Sequence, residues 1–389
     1  MTQPRKISFG KPWITKAECS AVLGVLAGDV LTHGPQAHAF EKEFAEAIGG
    51  GHALTLCNGT AALHLAYWQL GIGAGDEVIV PAQSHVATVH AVEVVGARPV
   101  FVDCDRATGN ITPEVIAAAV TPRTRAIGLV HFVGIPCDMP AIMQIATKHG
   151  LKVVEDCALA LGTRWDGIHA GLFGDAGTFS FYPVKHITTG DGGMLVTRHV
   201  DLAQKISRAR AFGVDRTFAE RAVPGVYDVL SLGINYRLSD INASIGRQQL
   251  KRLSAILERR ARNFAALKNG LVDLEHVTVL DITAANQTNS HYCLIAILDG
   301  PLAGQRTEII RRLNAAGVGT SVYYPHPIPR LRYYRDKYGE NLSRFPNATR
   351  ISDQSIALPV GPHLEIDDMA YIAHELTTIA RDLTCSKIS

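Results

Sequence analysis

Short apolar runs alternate with longer amphipathic stretches through the first half of the chain. Residues 53–56, 77–80, 99–102, 126–130 and 152–154 are apolar at nearly every position, the pattern of strands covered on both faces. Stretches with helical spacing separate them, and strand, helix, strand at this interval predicts a parallel α/β sheet. Two helices are predicted ahead of it. Residues 16–26 carry Val22, Val25 and Leu26 at helical spacing with Gly28 as a stop, and residues 37–48 set Phe40, Phe44 and Ala47 on one face with glutamates on the other. Beyond the sheet come a short strand over 178–181, irregular chain between Phe212 and Asp240, and a long helix over 239–267. A strand over 292–298 and helices over 307–315 and 367–383 then predict a small α+β unit. We divide the chain into a large domain, residues 1–250, and a small C-terminal one, residues 251–389.

Charge and cysteine content narrow the functional classes. Across 389 residues, 38 Lys and Arg against 36 Asp and Glu leave a net charge of +2, so no global field draws the chain to nucleic acid or a membrane surface. Any anion must be met locally. Seven scattered cysteines with no C-x-x-C pair argue against a disulfide framework or a structural zinc site, and fit a reducing cytoplasm. The basic residues at the N-terminus lead into no apolar segment, and no run reaches the length of a membrane span, so a soluble protein is expected.

Candidate chemistry gathers between Lys152 and Gly193. The strand over 152–154 runs into Glu155-Asp156; Lys185 follows in Tyr182-Pro183-Val184-Lys185-His186, and Thr188-Thr189-Gly190-Asp191-Gly192-Gly193 forms a glycine loop. A carboxylate at a strand end and a lysine among apolar residues suit pyridoxal phosphate chemistry. There the lysine forms a Schiff base and the acid keeps the pyridine nitrogen protonated. Each residue also has a plainer reading, Asp156 as a helix cap and Lys185 as a solvated charge. Upstream, Cys57-Asn58-Gly59-Thr60-Ala61 joins a strand to a helix whose first N–H groups suit a phosphate, or form an ordinary cap. Gly71-Ile72-Gly73-Ala74-Gly75-Asp76 resembles a dinucleotide loop but follows a helix and precedes a strand, the reverse of the required order. It reads as a helix stop.

These motifs, together with Gly174-Asp175-Ala176-Gly177-Thr178-Phe179-Ser180-Phe181, resemble those of the DegT/DnrJ/StrS-type sugar aminotransferases from about Phe40 to about Leu358. The resemblance implies a fold-type-I pyridoxal phosphate enzyme, with a mostly parallel sheet under helices and a smaller α+β domain. It implies Lys185 and Asp156 as catalytic residues; Gly59, Thr60, Ala61 and Ser180 at the cofactor phosphate; and His85, where the family has an aromatic residue, against the pyridine ring. His85 alone could equally be a histidine bonded locally at a helix start. The resemblance further implies a homodimer with shared sites, in which Asn235 reaches the partner's phosphate. It sets Tyr323, Tyr324 and His326 near a sugar pocket, a segment that ordinary packing explains as well; no metal is expected. His131 reads as structural. Leu159 departs from the family's glutamine and lacks a side-chain donor for the cofactor's phenolic oxygen. Lys185 favours amine transfer over the family's dehydratases, which carry histidine there.

The expected reaction moves an amine from an amino acid, glutamate foremost, to a keto sugar carried on a nucleotide, with the cofactor alternating between pyridoxal and pyridoxamine phosphate. The rival functions are a pyridoxal phosphate-dependent dehydratase or eliminase, a binding protein that retained the fold, and a nicotinamide-dependent oxidoreductase.

Overall fold

A computed structural model describes residues 5–32, 34–215, 223, 225–282, 284–339 and 341–385. In chain order the elements begin α1 (Lys16–Leu26), α2 (Pro35–Ile48), β1 (His52–Leu56), α3 (Gly59–Gln69), β2 (Glu77–Pro81), α4 (Val86–Val94) and β3 (Arg98–Val102). They continue α5 (Pro113–Ala119), β4 (Thr124–Val130), α6 (Met139–His149), β5 (Lys152–Asp156), β6 (Arg164–Trp165), β7 (Ile168–His169), β8 (Ala176–Ser180) and β9 (Gly193–Thr197). Next are α7 (Val200–Ala209), α8 (Asp240–Leu250), α9 (Leu253–Gly270), β10 (Val277–Val279), β11 (Gln287–Thr288) and β12 (Leu294–Leu298). The last are α10 (Arg306–Ala315), α11 (Arg332–Tyr338), α12 (Pro346–Gln354), β13 (Ser355–Leu358) and α13 (Ile366–Cys385).

Seven strands form the main sheet in the order β1-β9-β8-β5-β4-β2-β3. The pairs from β8 to β3 are parallel, whereas β9 is antiparallel to both β8 and β1. Thus β1 runs in the predicted sense but joins the sheet through a reversed strand that the apolar pattern did not reveal. Alternation along the strands splits the core. Val80, Val154 and Leu195 pack with α3 residues Leu65 and Tyr67 on one face, while Ile79, Ile127 and Val153 pack with Ile142 of α6 on the other.

A second core, containing Phe264, Leu294, Leu313, Ile356 and Leu376, surrounds the sheet β10-β12-β13. Ile7 belongs to this core and bridges to Val318, so the N-terminal segment packs with the C-terminal unit across the proposed 250/251 division. The predicted 239–267 helix is two helices, α8 and α9, separated at Lys251 and Arg252. α1 has the predicted bounds but not a fully buried stripe: Val25 is buried and Val22 half-buried, while Leu26 is exposed. Arg216 and Pro224, in the irregular stretch, lie outside the described residues.

Candidate active site

Strand β5 splits its two terminal acids between the two faces of the sheet, as strict alternation demands. Glu155 points to the α6 side and is fully buried. Its oxygens accept the N–H groups of Gly171 (2.7 Å), Phe173 (2.9 Å) and Gly174 (2.7 Å) and pair with His131 Nε2 at 3.0 Å. His131 Nδ1 accepts the Cys137 N–H, so the proton sits on Nε2 and is donated to Glu155. This closed network braces the chain beyond β5, and His131 is structural as expected.

Asp156 points to the other face, 6 % exposed. One oxygen accepts the Ala158 N–H at 3.0 Å and the other the Thr88 hydroxyl at 2.7 Å, so each oxygen keeps a lone pair for a further donor.

Lys185 is carried by the loop between β8 and β9, which is pinned at both ends. Phe181 donates to the Gly192 carbonyl at 2.8 Å, Thr189 to the Phe181 carbonyl at 3.0 Å, and Asn242 of α8 donates to the Thr189 and Asp191 carbonyls at 2.8 and 2.9 Å. Within it the Lys185 N–H donates to the Tyr182 carbonyl at 2.9 Å. Burial of the amine lowers its pKa to about 8, against the opposing pull of the Asp156 charge. Its Nζ lies 5.4 Å from the centre of the Tyr292 ring. The neighbouring His186 turns away to the Ser290 carbonyl at 3.0 Å. Leu159 is buried in the core, and its carbonyl accepts the Ser290 hydroxyl.

The third component is the start of α3. Asn58 caps the helix, accepting the Ala61 N–H at 2.8 Å; Ala61 is thereby engaged, and the N–H groups at Gly59 and Thr60 have no helical acceptor. Strand β9 passes so close that a Cβ on Gly193 would sit 2.4 Å from the Asn58 carbonyl oxygen, and a Cβ on Gly59 would sit 3.1 Å from Ser180 Cβ. Gly59 and Ser180 therefore meet at a close approach, with Thr60 exposed beside them. Main chain left bare of side chains is what a phosphate needs to reach the N–H groups.

His85 is exposed and is the N-cap of α4, its Nδ1 accepting the Ala87 N–H at 3.2 Å; its ring centre also lies 5.5 Å from that of Tyr324. The structure thus shows the local capping role, with the ring beside Tyr324. Tyr323 and Tyr324 wall the cleft with Tyr292, whose hydroxyl lies 2.8 Å from that of Tyr323. Burial raises the pKa of all three phenols, which stay protonated. His326 is exposed two residues further on. Asn235 is also exposed, on a segment whose next residue is tied to the start of the chain's own α3. The Tyr236 carbonyl accepts the Cys57 N–H at 2.8 Å, and its hydroxyl lies 3.1 Å from His64 Nδ1 on α3. Tyr292, Thr88 and Asn242 escaped the sequence reading. Thr88 falls three residues after His85, on the same helix face, the one signal that could have found it.

The model of the DegT/DnrJ/EryC1/StrS aminotransferase family matches residues 12–377. The uncharacterized protein MJ1066 of Methanocaldococcus jannaschii is 35% identical over 375 residues, covering 96% of this chain and 97% of its own. Spr1654 of Streptococcus pneumoniae, described as a sugar aminotransferase and solved with pyridoxamine phosphate, superposes with a TM-score of 0.92 at 27% identity, covering 97% of this chain and 100% of its own. PseC of Helicobacter pylori, an aminotransferase involved in the biosynthesis of pseudoaminic acid, gives 0.92 at 26% identity with the same coverage.

Proposed function

Since the chain belongs to the DegT/DnrJ/EryC1/StrS aminotransferase family and is a pyridoxal phosphate-dependent transaminase, we propose that it aminates a keto sugar carried on a nucleotide, taking the amine from glutamate. The observation that supports this reading is a buried Lys185 amine that feels the charge of a buried Asp156 carboxylate, on the face of the sheet where α3 begins with two open N–H groups.

The bound cofactor supplies an aldehyde for amine exchange and a ring that accepts electrons from the substrate carbon. In our reading Lys185 would hold that aldehyde through its amine and would be the base that takes a proton from the donor's α-carbon. Asp156 holds the pyridine nitrogen in its protonated form. Gly59 and Thr60 offer N–H groups to the phosphate, with Ser180 adding a hydroxyl and Ala61 serving as the cap contact that keeps them aimed. His85 would pack against the ring. Tyr323 and Tyr324 present flat faces and hydroxyls to the sugar, with His326 at the mouth.

We further propose a cytoplasmic homodimer in which Asn235 reaches the partner's phosphate. Its support is the exposure of Asn235 together with a run of exposed apolar side chains beside it, Val226, Val229, Leu230 and Leu232, the last 76% exposed.

The test is a pair of half-reactions. Holoenzyme mixed with glutamate is expected to release 2-oxoglutarate and leave pyridoxamine phosphate, which a nucleotide-linked keto sugar then returns to the pyridoxal form. Loss of water from the sugar without keto acid release would identify a dehydratase instead.

A further inference from the structure

We propose that the Ser84 and Thr88 hydroxyls form a positioning relay that fixes the carboxylate of Asp156 in orientation and charge. The inference rests on the reading above that Asp156 faces the cofactor's ring nitrogen.

The geometry assigns a direction to every proton in the relay. Thr88 Oγ1 lies 2.7 Å from Asp156 Oδ2 and 2.8 Å from Ser84 Oγ. A hydroxyl has one hydrogen; ionised Asp156 accepts only, so Thr88 donates to Asp156 and Ser84 must donate to Thr88. All three residues are buried, Thr88 at 1%, Ser84 at 2% and Asp156 at 6% exposure. In such a setting a donor aimed at an anion is strengthened by the donor behind it.

The ordinary explanation for hydroxyls at a helix start is capping, and here it does not apply. His85 is the N-cap of α4 and its own Nδ1 takes the Ala87 N–H. Neither hydroxyl is spent on the helix; both point along a line that ends on Asp156. The titratable groups that feel the carboxylate's charge are Lys185, His85, Tyr67, Tyr324 and the adjacent Cys157. None of them hydrogen-bonds to it, and Thr88 and the Ala158 N–H are its direct donors. One oxygen is thus fixed by backbone, and the other by a side chain that can be replaced.

The experiment compares holoenzyme carrying Thr88→Val, Thr88→Ser and Ser84→Ala with wild type and Asp156→Asn. Thr88→Val keeps shape and removes the donor. Its kcat for the glutamate half-reaction is expected to fall about 10- to 100-fold, the loss typical of a hydrogen bond to a charged group, with the donor KM little changed. The pH midpoint of the visible cofactor band is expected to move alkaline by roughly half a unit, because a less firmly held carboxylate protonates the ring less fully. Thr88→Ser is expected to recover most of the loss, and Ser84→Ala to show a smaller effect in the same direction. A Thr88→Val enzyme with unchanged kcat and band midpoint, or one that serine does not rescue, overturns the relay. If Thr88→Val does not fold, Ser84→Ala decides alone, and an unshifted band midpoint there overturns it. Impairment in Asp156→Asn without impairment in the hydroxyl variants would sink the relay and leave the role of Asp156 standing; wild-type behaviour in Asp156→Asn would remove the reading on which the relay rests.

Discussion

The phenolic oxygen of Tyr67 occupies the space in which a side chain at Gly128 would begin: a Cβ built on Gly128 would lie 2.1 Å from it. Gly128 sits inside buried strand β4, opposite Val154 of β5, where glycine otherwise weakens a strand. Among the described residues the Tyr67 hydroxyl has no hydrogen-bond partner. Gly128→Ala is therefore expected to destabilise the protein by about 1–3 kcal/mol through overpacking. In a Tyr67→Phe background the nearest ring atom, Cζ, lies at 3.3 Å, and the penalty is expected to shrink by about 1 kcal/mol. Denaturant unfolding of the four combinations measures the coupling, and strictly additive effects would contradict the contact.

Lys185→Ala is expected to abolish the visible Schiff-base band and transamination while leaving fold and assembly intact. The substitution removes a desolvated amine, which contributes no ion pair within salt-bridge distance among the described residues. Absorbance, the glutamate half-reaction and thermal unfolding check the three parts. Retained turnover would refute the assignment of Lys185.

Asp156→Asn is expected to keep cofactor binding, since the start of α3 and Lys185 are untouched, but to slow proton removal from the donor more than about 100-fold. A neutral amide no longer stabilises the protonated ring, and its NH₂ group brings a second donor to the side that Thr88 already serves. Single-turnover conversion to pyridoxamine phosphate reads this step directly.

Uptake of cofactor by the apoenzyme is expected to accelerate with pH around a midpoint near 8. Burial lowers the Lys185 pKa from 10.5 to about 8, so below that pH the amine is protonated and cannot attack an aldehyde. At pH 7 roughly a tenth of it is free, against about one part in three thousand for an ordinary lysine. Stopped-flow absorbance across pH 6 to 10 gives the midpoint, and a value near that of free lysine would mean the amine is solvated.

Much of this architecture was legible from the chain alone, and the exceptions share a cause. Strands β2, β3, β4 and β5 are runs of apolar residues bounded by turns, and their burial on two faces is written into composition. Strand β9 was missed because Gly193 opens it directly after a glycine loop, and only the close approach to Asn58 explains why a glycine must stand there. The break between α8 and α9 at Lys251 and Arg252 has no glycine or proline to announce it. In the site, Asp156 and Lys185 stood out because charge beside apolar runs is rare. Thr88 and Asn242 did not, since hydroxyls and amides are common in loops and helix starts, and their roles exist only once distant elements meet.

Strand β9 also has a consequence for synthesis. It is inserted between β1 and β8, although it is made after both. A nascent chain that has emerged from the ribosome only as far as Gly190 has translated the Asn58 turn, Asp156 and Lys185, yet its first strand has no neighbour to join. Vitamin capture must then wait for Gly193–Thr197 to slot into place, so a translational pause just before that segment would hold the polypeptide in a state that carries every reactive group and no pocket.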